Sequence, residues 1–467
     1  MKAHKLLTGR WPRHGVKQPT IDAFLQKALK TNLAWGKWPV LGFPSMAPDK
    51  FAVSVYDRFI KRHCNAILTH TRGKGEKGFD GIKPVEKAVV YMLADLLGIG
   101  NHAAIEDLVD GYIASGGTEA NIMGVWIGRE KLRSEVRDEA DQRVALLTTS
   151  FAHYSVRKAA GLTGIGEGHF VENGFVDFYE GQRPTTLFIP ATDGSGLHYV
   201  KANYNGSMNV PALEQKIRLL HADKGMRRFI IVLNEGSTMT GSLDPVQTVG
   251  SLLQNIKHEL QDCRFYVHVD AAYGGFIYPF TETGYVGGFS VPEVDSMTVD
   301  PYKMGQAPMA QGIFLCRKHL QVYTQRQQGY IQEEFDDTLI GSRTGAHAAA
   351  CFALIHQFGF KGYRAMHMKS IRLANAIHSK FSQVSGLDML PRQLNMVSFY
   401  LPSDLSHATL KRVHDLVNKY RIMWALISED CEDPKRSPRR MMKFNITRDV
   451  NPKWIDKFLD EFVPLLS

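Results

Sequence analysis

Long apolar segments and paired cysteines are both missing from this sequence of 467 residues. No uninterrupted apolar run approaches the roughly 18 residues that a membrane-spanning helix needs, so we expect no spanning helix. The basic N-terminal stretch lacks the apolar core of a signal peptide. The cysteines are odd in number, scattered and without a CxxC pair, which predicts free thiols in a reducing, cytoplasmic compartment: Cys64, Cys263, Cys316, Cys351 and Cys431.

The charge pattern lacks the clustered basic and aromatic residues that are typical of nucleic-acid-binding proteins. The formal net charge is +9, from 56 basic and 47 acidic residues, and the densest basic run, at 434–443, is short. We therefore expect no nucleic-acid partner. A basic field around an anionic cofactor or small-molecule substrate is the more plausible interpretation. We also expect no metal site and no membrane partner.

Residues 111–317 alternate strand-like and helix-like segments, which is typical of an α/β fold around a mostly parallel sheet. Seven strands are predicted, at 111–115, 144–149, 186–190, 228–234, 264–270, 296–300 and 312–317. Four helices are predicted between them, at 118–137, 153–161, 211–221 and 246–260. Because ligands in such sheets bind at the carboxyl ends of the strands, we expect the site at that edge.

The sequence divides into three parts. Residues 1–80 form an N-terminal arm with a short helix near 20–31, and its large apolar side chains are expected to pack on a partner subunit or on the main body. Residues 81–345 form the large domain. Residues 346–467 contain a long helical region interrupted at GFKG and then strand, helix, strand and helix, which predicts a smaller α+β domain.

Lys303 stands at the end of a predicted strand, before the Gly/Pro-rich turn GQAP. Burial at this place disfavours the charged form of a lysine, so we predict a lowered pKa. A nucleophilic amine of this kind can form a Schiff base with a carbonyl or with pyridoxal phosphate (PLP). Taken alone, a surface lysine in a turn is the better interpretation, but two other stretches favour the chemical one.

The first of these stretches is SGGTEAN, a Gly-rich turn that opens a helix. Ser115, Gly116 and Gly117 let the backbone approach an anion closely. Thr118 begins a helix whose N-terminal amides and dipole favour a phosphate. A plain strand–helix turn with a threonine cap explains the stretch equally well when it is taken alone.

The second stretch is HVDAAYGG, a strand that ends in Asp270. A carboxylate here can accept a hydrogen bond from the pyridine nitrogen of PLP and keep that nitrogen protonated. Ala272 is small, as is needed where a flat ring lies on the strand. The alternative is an aspartate that caps the next turn.

Two further candidates follow other strand ends. The imidazole of His153 could stack on the exposed face of the cofactor ring. The hydroxyls of Ser237 and Thr238 could donate hydrogen bonds to the ring or the phosphate. The alternatives are a packed or solvent-exposed histidine and an ordinary Ser/Thr turn.

These motifs, in this order, resemble those of the group II PLP-dependent amino-acid decarboxylases, which include glutamate, aromatic amino-acid and tyrosine decarboxylases. The resemblance covers about residues 100–350 and is carried by SGGTEAN, AHYSVRKAA, HVDAAYGGF, DPYKMGQAP and GSRTGA. The sequence VDPYKMG is most similar to the archaeal tyrosine/aspartate decarboxylases. The resemblance implies PLP fold type I, the aspartate aminotransferase type, and a homodimer with active sites at the subunit interface.

The resemblance also implies a role for each motif residue. It makes Lys303 the Schiff-base lysine, Asp270 the partner of the pyridinium, His153 the stacking residue and Ala272 the residue under the ring. The phosphate cradle corresponds to 115–118. Another residue, in a loop, is similar in place to a tyrosine that protonates the substrate carbon across the dimer: Tyr330.

Two departures from the family pattern bear on the substrate. Tyr302 replaces the histidine that usually precedes the lysine. The family's C-terminal arginine, which can hold a substrate carboxylate, corresponds to Arg439 or Arg440. We predict decarboxylation of an L-amino acid, either tyrosine or another aromatic one, or aspartate or glutamate. A carbon–carbon lyase for a phosphorylated amino alcohol, similar to sphingosine-phosphate lyases, is the alternative, favoured by Tyr302 and the basic loop 70–83.

Overall fold

A computed structural model describes residues 17–32, 35–73, 76–100, 102–136, 142–171, 187–281, 284–327, 335–433, 435 and 438–466. Its α-helices are α1 (Gln18–Thr31), α2 (Lys50–Ile60), α3 (Lys83–Leu96), α4 (Gly117–Ser134), α5 (Tyr154–Leu162), α6 (Val210–Lys224), α7 (Val246–Glu259), α8 (Tyr278–Thr281), α9 (Pro301–Met304), α10 (Ala346–Phe381), α11 (His407–Tyr420) and α12 (Pro452–Phe462). Short 3-10 helices lie at His102–Asp107, Gly274–Phe276, Gly288–Ser290, Leu320–Thr324 and Val463–Leu465.

The strands form one large sheet, a smaller sheet and two ribbons. Their bounds are β1 (Val109–Ala114), β2 (Ala145–Thr149), β3 (His169–Val171), β4 (Leu187–Ile189), β5 (Gly196–Val200), β6 (Arg228–Asn234), β7 (Arg264–Asp270), β8 (Val294–Val299), β9 (Gly312–Arg317), β10 (Arg326–Gln327), β11 (Phe335–Asp336), β12 (Asp388–Met389), β13 (Met396–Tyr400), β14 (Met423–Ile427) and β15 (Arg439–Asn445). The ribbons are β3–β4 and β10–β11.

The large sheet has seven strands in the order β1-β9-β8-β7-β6-β2-β5. Strand β9 is antiparallel to both of its neighbours, and every other pair is parallel. All seven residues of β6 are buried, as expected for a strand covered on both faces. The predicted mostly parallel, seven-stranded α/β sheet is confirmed.

Helices cover both faces of this sheet, and side chains alternate between the two cores. Ile230 and Val232 of β6 pack with residues of α4 and α5, whereas Ile231 and Leu233 pack with residues of α3, α6 and α7. A strand turns successive side chains to opposite faces, so an apolar run of this length fits between two helical layers. The predicted helices at 118–137, 153–161, 211–221 and 246–260 correspond to α4, α5, α6 and α7.

One predicted strand of the large sheet was wrong. The segment predicted at 186–190 contributes β4 to a two-stranded ribbon with β3, and β5 takes the edge position beside β2 instead. Strand β5 reads GLHYV, and its buried His198 bonds through Nε2 to the carbonyl oxygen of Gly194 at 2.9 Å. A glycine and a histidine weaken the apolar pattern, so the edge strand gave the weaker sequence signal.

The C-terminal part builds a second layer around a four-stranded antiparallel sheet of order β12-β13-β15-β14. Its apolar core joins residues of α11, α12 and the end of α10. Helix α10 is interrupted at Gly359, which has a φ of 54°, as the sequence GFKG predicted. Strand β14 was not predicted. The division at residues 80 and 345 stays a prediction.

All five cysteines lie within the described ranges and are free thiols. Across those same ranges, no helix is both long enough and apolar enough to cross a bilayer.

Candidate active site

A cavity of about 390 Å³ opens at the carboxyl edge of the large sheet. Segments that follow β1, β2, β6, β7 and β8 all contribute to its wall, because the carboxyl ends of parallel strands meet at one edge. Every described residue that the sequence placed in a cofactor role lines it: Ser115, Gly116, Gly117, Thr118, His153, Ser237, Thr238, Asp270, Ala272 and Lys303. Five stretches far apart in sequence therefore converge on one site.

The first turn of α4 faces this cavity. Among the described residues, no side chain caps this helix, whose N-cap position is Gly116. The backbone N–H of Ser115 is already bonded to Glu119 Oε2, at 2.6 Å, so the amides of the following residues are the ones left for an anion. A Cβ atom at Gly117 would lie 2.7 Å from both carboxylate oxygens of Asp300, which explains why glycine is needed there.

Asp270 ends β7 and is almost completely buried. Its Oδ2 accepts a hydrogen bond from Nδ2 of Asn121 at 2.7 Å, and its Oδ1 accepts one from the backbone N–H of Ala272 at 3.1 Å. The carboxylate is therefore held by two donors on different elements while it lines the cavity. This arrangement suits an acceptor for a protonated ring nitrogen.

Lys303 lies on the one-turn helix α9, three residues after Asp300. The Lys303 Nζ atom and Asp300 Oδ2 are 3.0 Å apart, and the lysine side chain is only 16% exposed. Burial opposes the charged lysine, but Asp300, Tyr302 and Asp270 together outweigh it and raise the pKa of Lys303 above its usual value. The predicted lowering of this pKa was therefore wrong, because burial was considered without the carboxylates.

The carboxyl group of Asp300, the partner of Lys303, also has a shifted pKa. Burial raises its pKa to about 6, although the attraction of Lys303 works in the opposite direction. Asp300 thus pairs with Lys303 on one side and packs against Gly117, at the start of α4, on the other. The sequence signal that could have found it is the spacing in DPYK, since residues three apart on a helical turn face each other.

His153 occupies the N-cap position of α5. Its Nδ1 lies 2.8 Å from Ser155 Oγ, and its ring lies against that of Tyr154, with the centroids 4.1 Å apart. Burial lowers the pKa of His153, with Lys303 adding to the effect and Asp270 opposing it. The imidazole is therefore neutral near pH 7 and lines the cavity as a flat ring.

Thr238 lies in the loop after β6. The neighbouring Ser237 is buried, and its hydroxyl is bonded within the loop to Thr240 and Ser242, each at 2.8 Å, so it is already occupied. The carbonyl oxygen of Thr238 accepts a hydrogen bond from Nζ of Lys443 at 2.9 Å. A lysine of the C-terminal sheet therefore supports the wall of the site.

Lys443 was missed because it stands in the apolar pattern of β15, where nothing in the sequence points to the site. It is fully buried, and burial, followed by repulsion from Lys303, lowers its pKa to about 7. Asn121 was missed as well, although it belongs to the SGGTEAN motif. Its position one turn into the helix could have indicated contact with the neighbouring strand end.

Two of the remaining predictions concern arginines of β15. Arg439 is paired with Asp388 and lies over the ring of Tyr400, with the guanidinium carbon 4.0 Å from the centroid. Arg440 is buried, and burial lowers its pKa. Among the described residues that line the cavity, neither arginine is found. Tyr330 lies outside the described residues.

The residues present fit PLP. An amine, a doubly held carboxylate, a neutral imidazole and an uncapped helix start surround a cavity whose volume lies in the range of small-molecule sites. Lys303 would hold the aldehyde carbon, Asp270 the ring nitrogen and the start of α4 the phosphate. Ala272 presents only a methyl group where a ring would lie.

Comparison with solved structures identifies the fold. The glutamate decarboxylase of Lactobacillus brevis has a TM-score of 0.76 at 17% identity, covering all of this chain and 96% of that one. The sphingosine-1-phosphate lyase of Burkholderia pseudomallei has a TM-score of 0.72 at 18% identity, covering 100% and 95%. The fold type I architecture is thus confirmed, and the fold alone does not separate decarboxylases from lyases.

Sequence comparison separates the two. A tryptophan decarboxylase of Clostridium sporogenes is 30% identical over 356 residues, covering 74% of this chain and 76% of that protein. An L-aspartate decarboxylase of Thermococcus kodakarensis is 28% identical, covering 83% and 86%. The family model described as the pyridoxal-dependent decarboxylase conserved domain matches residues 82–401. These matches favour decarboxylation over the carbon–carbon lyase, and the chain belongs to the pyridoxal-dependent decarboxylase family of enzymes, with PLP as its cofactor.

Proposed function

We propose that this enzyme removes the α-carboxylate of an L-amino acid with an aromatic side chain, releasing CO2 and the amine. The observation that carries the choice of substrate is the composition of the cavity wall. The wall includes Pro44, Tyr154, Tyr302 and Met423. Among the described lining residues, the basic side chains are those of Lys303 and His153, so a second carboxylate would find no further cation there.

Each residue of the site has a distinct task in this proposal. PLP supplies an electron-withdrawing ring that accepts the electrons of the bond being broken. Lys303 would hold the aldehyde group of PLP covalently through its Nζ atom. Asp270 would keep a proton on the ring nitrogen. His153 would stack on the cofactor ring and help to orient the substrate.

The phosphate and the reprotonation step complete the assignment. Ser115, the two glycines after it and Thr118 would bind the phosphate at the start of α4, and Thr238 would contribute to the cofactor site from the loop after β6. Exclusion of water strengthens these electrostatic contacts. In line with the family resemblance, Tyr330 would supply, across the dimer, the proton that replaces CO2 on the substrate carbon.

A second subunit is part of the proposal, because α1 leaves an apolar stripe in water. Ile21, Leu25 and Leu29 recur every four residues along α1 and are 39%, 56% and 61% exposed. No residue of that helix is buried. We therefore infer a homodimer whose arms cover each other's surfaces, with active sites at the interface. The free thiols support a reducing, cytoplasmic location.

Acidic amino acids are the second candidate. Relatives of this chain include an L-aspartate decarboxylase. The C-terminal arginines predicted to bind a carboxylate lie on β15, of which Lys443 supports the site wall. Both classes of amino acid therefore belong in one experiment.

The test is a substrate panel with the purified holoenzyme, measuring CO2 and amine for tyrosine, tryptophan, phenylalanine, aspartate and glutamate. We expect an aromatic amino acid to give a kcat/KM at least about tenfold above either acidic one, a difference of roughly 1.4 kcal/mol. Amine from the acidic substrates alone would overturn the choice of substrate. Amine from none of them, with aldehyde from a phosphorylated amino alcohol, would overturn decarboxylation itself.

A further inference from the structure

A buried row of polar side chains continues from the active site into the core. Tyr266, His268 and Asp270 occupy alternate positions of β7, so they point to the same face of the sheet, toward α4. The rings of Tyr266 and His268 are both completely inaccessible to solvent. Buried polar groups of this kind need defined partners, and the row has them.

Helix α4 crosses this row at two glycines. A Cβ atom at Gly124 would lie 2.3 Å from Nδ1 of His268, and one at Gly128 would lie 2.6 Å from the ring of Tyr266. Asn121 lies three and seven residues earlier, on the same stripe of the helix. The two glycines therefore let the helix approach closely enough for the Asn121 amide to lie between His268 and Asp270.

The hydrogen bonds of the row have one consistent direction. Burial raises the pKa of Tyr266 well above its usual value, so its hydroxyl remains a donor, and it donates to Ser296 Oγ at 2.8 Å. The single hydrogen of Ser296 is then directed to Nδ1 of His268, also at 2.8 Å. Burial lowers the pKa of His268 to about 4, so the ring is neutral and carries its hydrogen on Nε2.

That hydrogen sets the orientation of Asn121. The Nε2 of His268 lies 3.0 Å from Oδ1 of Asn121, with Thr298 Oγ1 slightly farther, at 3.3 Å. The amide oxygen must therefore face the histidine, and the amide NH2 faces the site. Its two hydrogens go to Asp270 Oδ2 at 2.7 Å and to Ser155 Oγ at 2.8 Å.

The second branch reaches His153. Because Ser155 Oγ accepts from Asn121, its own hydrogen is directed to Nδ1 of His153, 2.8 Å away. One amide thus contacts both the carboxylate assigned to the ring nitrogen and, through a hydroxyl, the imidazole assigned to the ring face. A reversed amide would place its oxygen against the Asp270 carboxylate, two acceptors without a hydrogen between them.

We propose that His268 and Asn121 are positioning residues, and that the hydrogen-bond chain starting at Tyr266 fixes the Asn121 amide so that Asp270 and His153 are held in place for the cofactor. This inference rests on the proposed function, since it concerns the same site. The cavity wall, as far as the structure describes it, does not include Tyr266, Ser296 or His268. These members of the hydrogen-bond chain therefore act through the Asn121 amide.

The test compares two variants of similar length at one position. His268→Gln retains an amide N–H where the imidazole Nε2–H is, whereas His268→Met has no donor there. The readout is the 15N chemical shift of the ring nitrogen in holoenzyme loaded with 15N-labelled PLP, together with kcat and KM. We expect His268→Met to move the shift toward an unprotonated nitrogen and to lower kcat about 10–100-fold with little change in KM. His268→Gln should restore both values.

The outcomes separate the two proposals. An unprotonated ring nitrogen in the wild-type holoenzyme would contradict the role proposed for Asp270. A protonated nitrogen in the wild type and an unchanged shift in His268→Met would overturn only the present inference, as would equal losses in both variants. If His268→Met does not fold, Ser296→Ala removes the donor to Nδ1 with little change in volume. An unchanged shift in Ser296→Ala would then overturn the inference as well.

Discussion

Two lysines, one in the cavity wall and one behind it, have pKa values shifted in opposite directions. Lys303 faces Asp300 across 3.0 Å, and its pKa is raised despite burial. Lys443 donates to a backbone carbonyl oxygen, and burial lowers its pKa to about 7. Among the described residues, no carboxylate contributes to the Lys443 pKa. Depth of burial alone therefore does not decide the pKa of these lysines, because the nearest carboxylate does.

The difference also separates two tasks. An ammonium group at Lys303 is attracted to the wall that holds it and must lose a proton before it attacks a carbonyl. Lys443 can exist in its neutral form at ordinary pH, yet it bonds the loop of Thr238 and lines no part of the described cavity. The lysine with the lower pKa is therefore the one that lies outside the cavity wall.

The largest expected effect comes from removing each of the two lysines in turn. Lys303→Ala should abolish the visible absorbance band of the lysine-bound cofactor and lower kcat by on the order of 10³-fold or more. Lys443→Met should keep the band, because its amine does not reach the cofactor. Absorbance spectra and steady-state assays of both variants check this. Loss of the band in both would remove the distinction.

A second prediction concerns stability and its dependence on pH. Lys443 has a folded-state pKa of about 7, against roughly 10.4 in an unfolded chain. Between these values the unfolded state binds more protons, so this lysine destabilises the fold most at and below pH 7 and progressively less as the pH rises toward 10.4. Lys443→Met should therefore be more stable than the wild type at pH 7, by about 2–4 kcal/mol, with the difference shrinking toward pH 10.

Denaturant unfolding of both proteins at pH 7, 8.5 and 10 measures this difference. Lys453→Met, at an exposed position of α12, is the matched control and should show no comparable change with pH. A Lys443→Met advantage that grew with pH, or a loss of stability at pH 7, would contradict the lowered pKa.

A third prediction removes the carboxylate that distinguishes the two lysines. Asp300→Asn should lower the pKa of Lys303, since an opposite charge at this distance favours the ammonium form by roughly one to three pKa units. Recovery of the visible band after mixing cofactor-free protein with PLP at pH 7.5 should then become at least about tenfold faster. Asp295→Asn, which removes the partner of Lys131 elsewhere on β8, is the control. An unchanged rate in Asp300→Asn would show that the ion pair does not limit attachment.

The smallest effect is expected at the exposed end of the strand that carries Lys443. Arg439 is paired with Asp388, and both side chains are more than 40% exposed. Arg439→Ala should leave kcat/KM for every substrate within about twofold and change stability by at most about 1 kcal/mol. A selective loss of activity toward aspartate or glutamate would instead assign Arg439 to a substrate carboxylate.

The strands, and the site residues that follow them directly, could be predicted from local sequence patterns. Lys303, Asp270 and His153 each follow an apolar strand, and parallel strands bring their carboxyl ends together, so their convergence on one cavity followed from chain order. The family resemblance added their roles. Element bounds were close where strands are uniformly apolar, as for β6 and β7.

What could not be predicted depends on contacts between distant segments. The approach of Asp300 to Gly117, and with it the direction of the Lys303 pKa shift, requires knowing how two loops pack. Lys443 lies in an apolar strand whose partner is the loop of Thr238, 205 residues away. Edge strand β5 was missed because its five residues include a glycine and a histidine and so lack a clear apolar pattern.

The packing of Gly117 against Asp300 links the proposed phosphate site to the proposed Schiff-base lysine. Because a side chain at Gly117 would press on both oxygens of the Asp300 carboxylate, a larger residue at the start of α4 would also disturb the ion pair between Asp300 and Lys303. A redesign of this helix start for a different anion would therefore need a compensating change at Asp300.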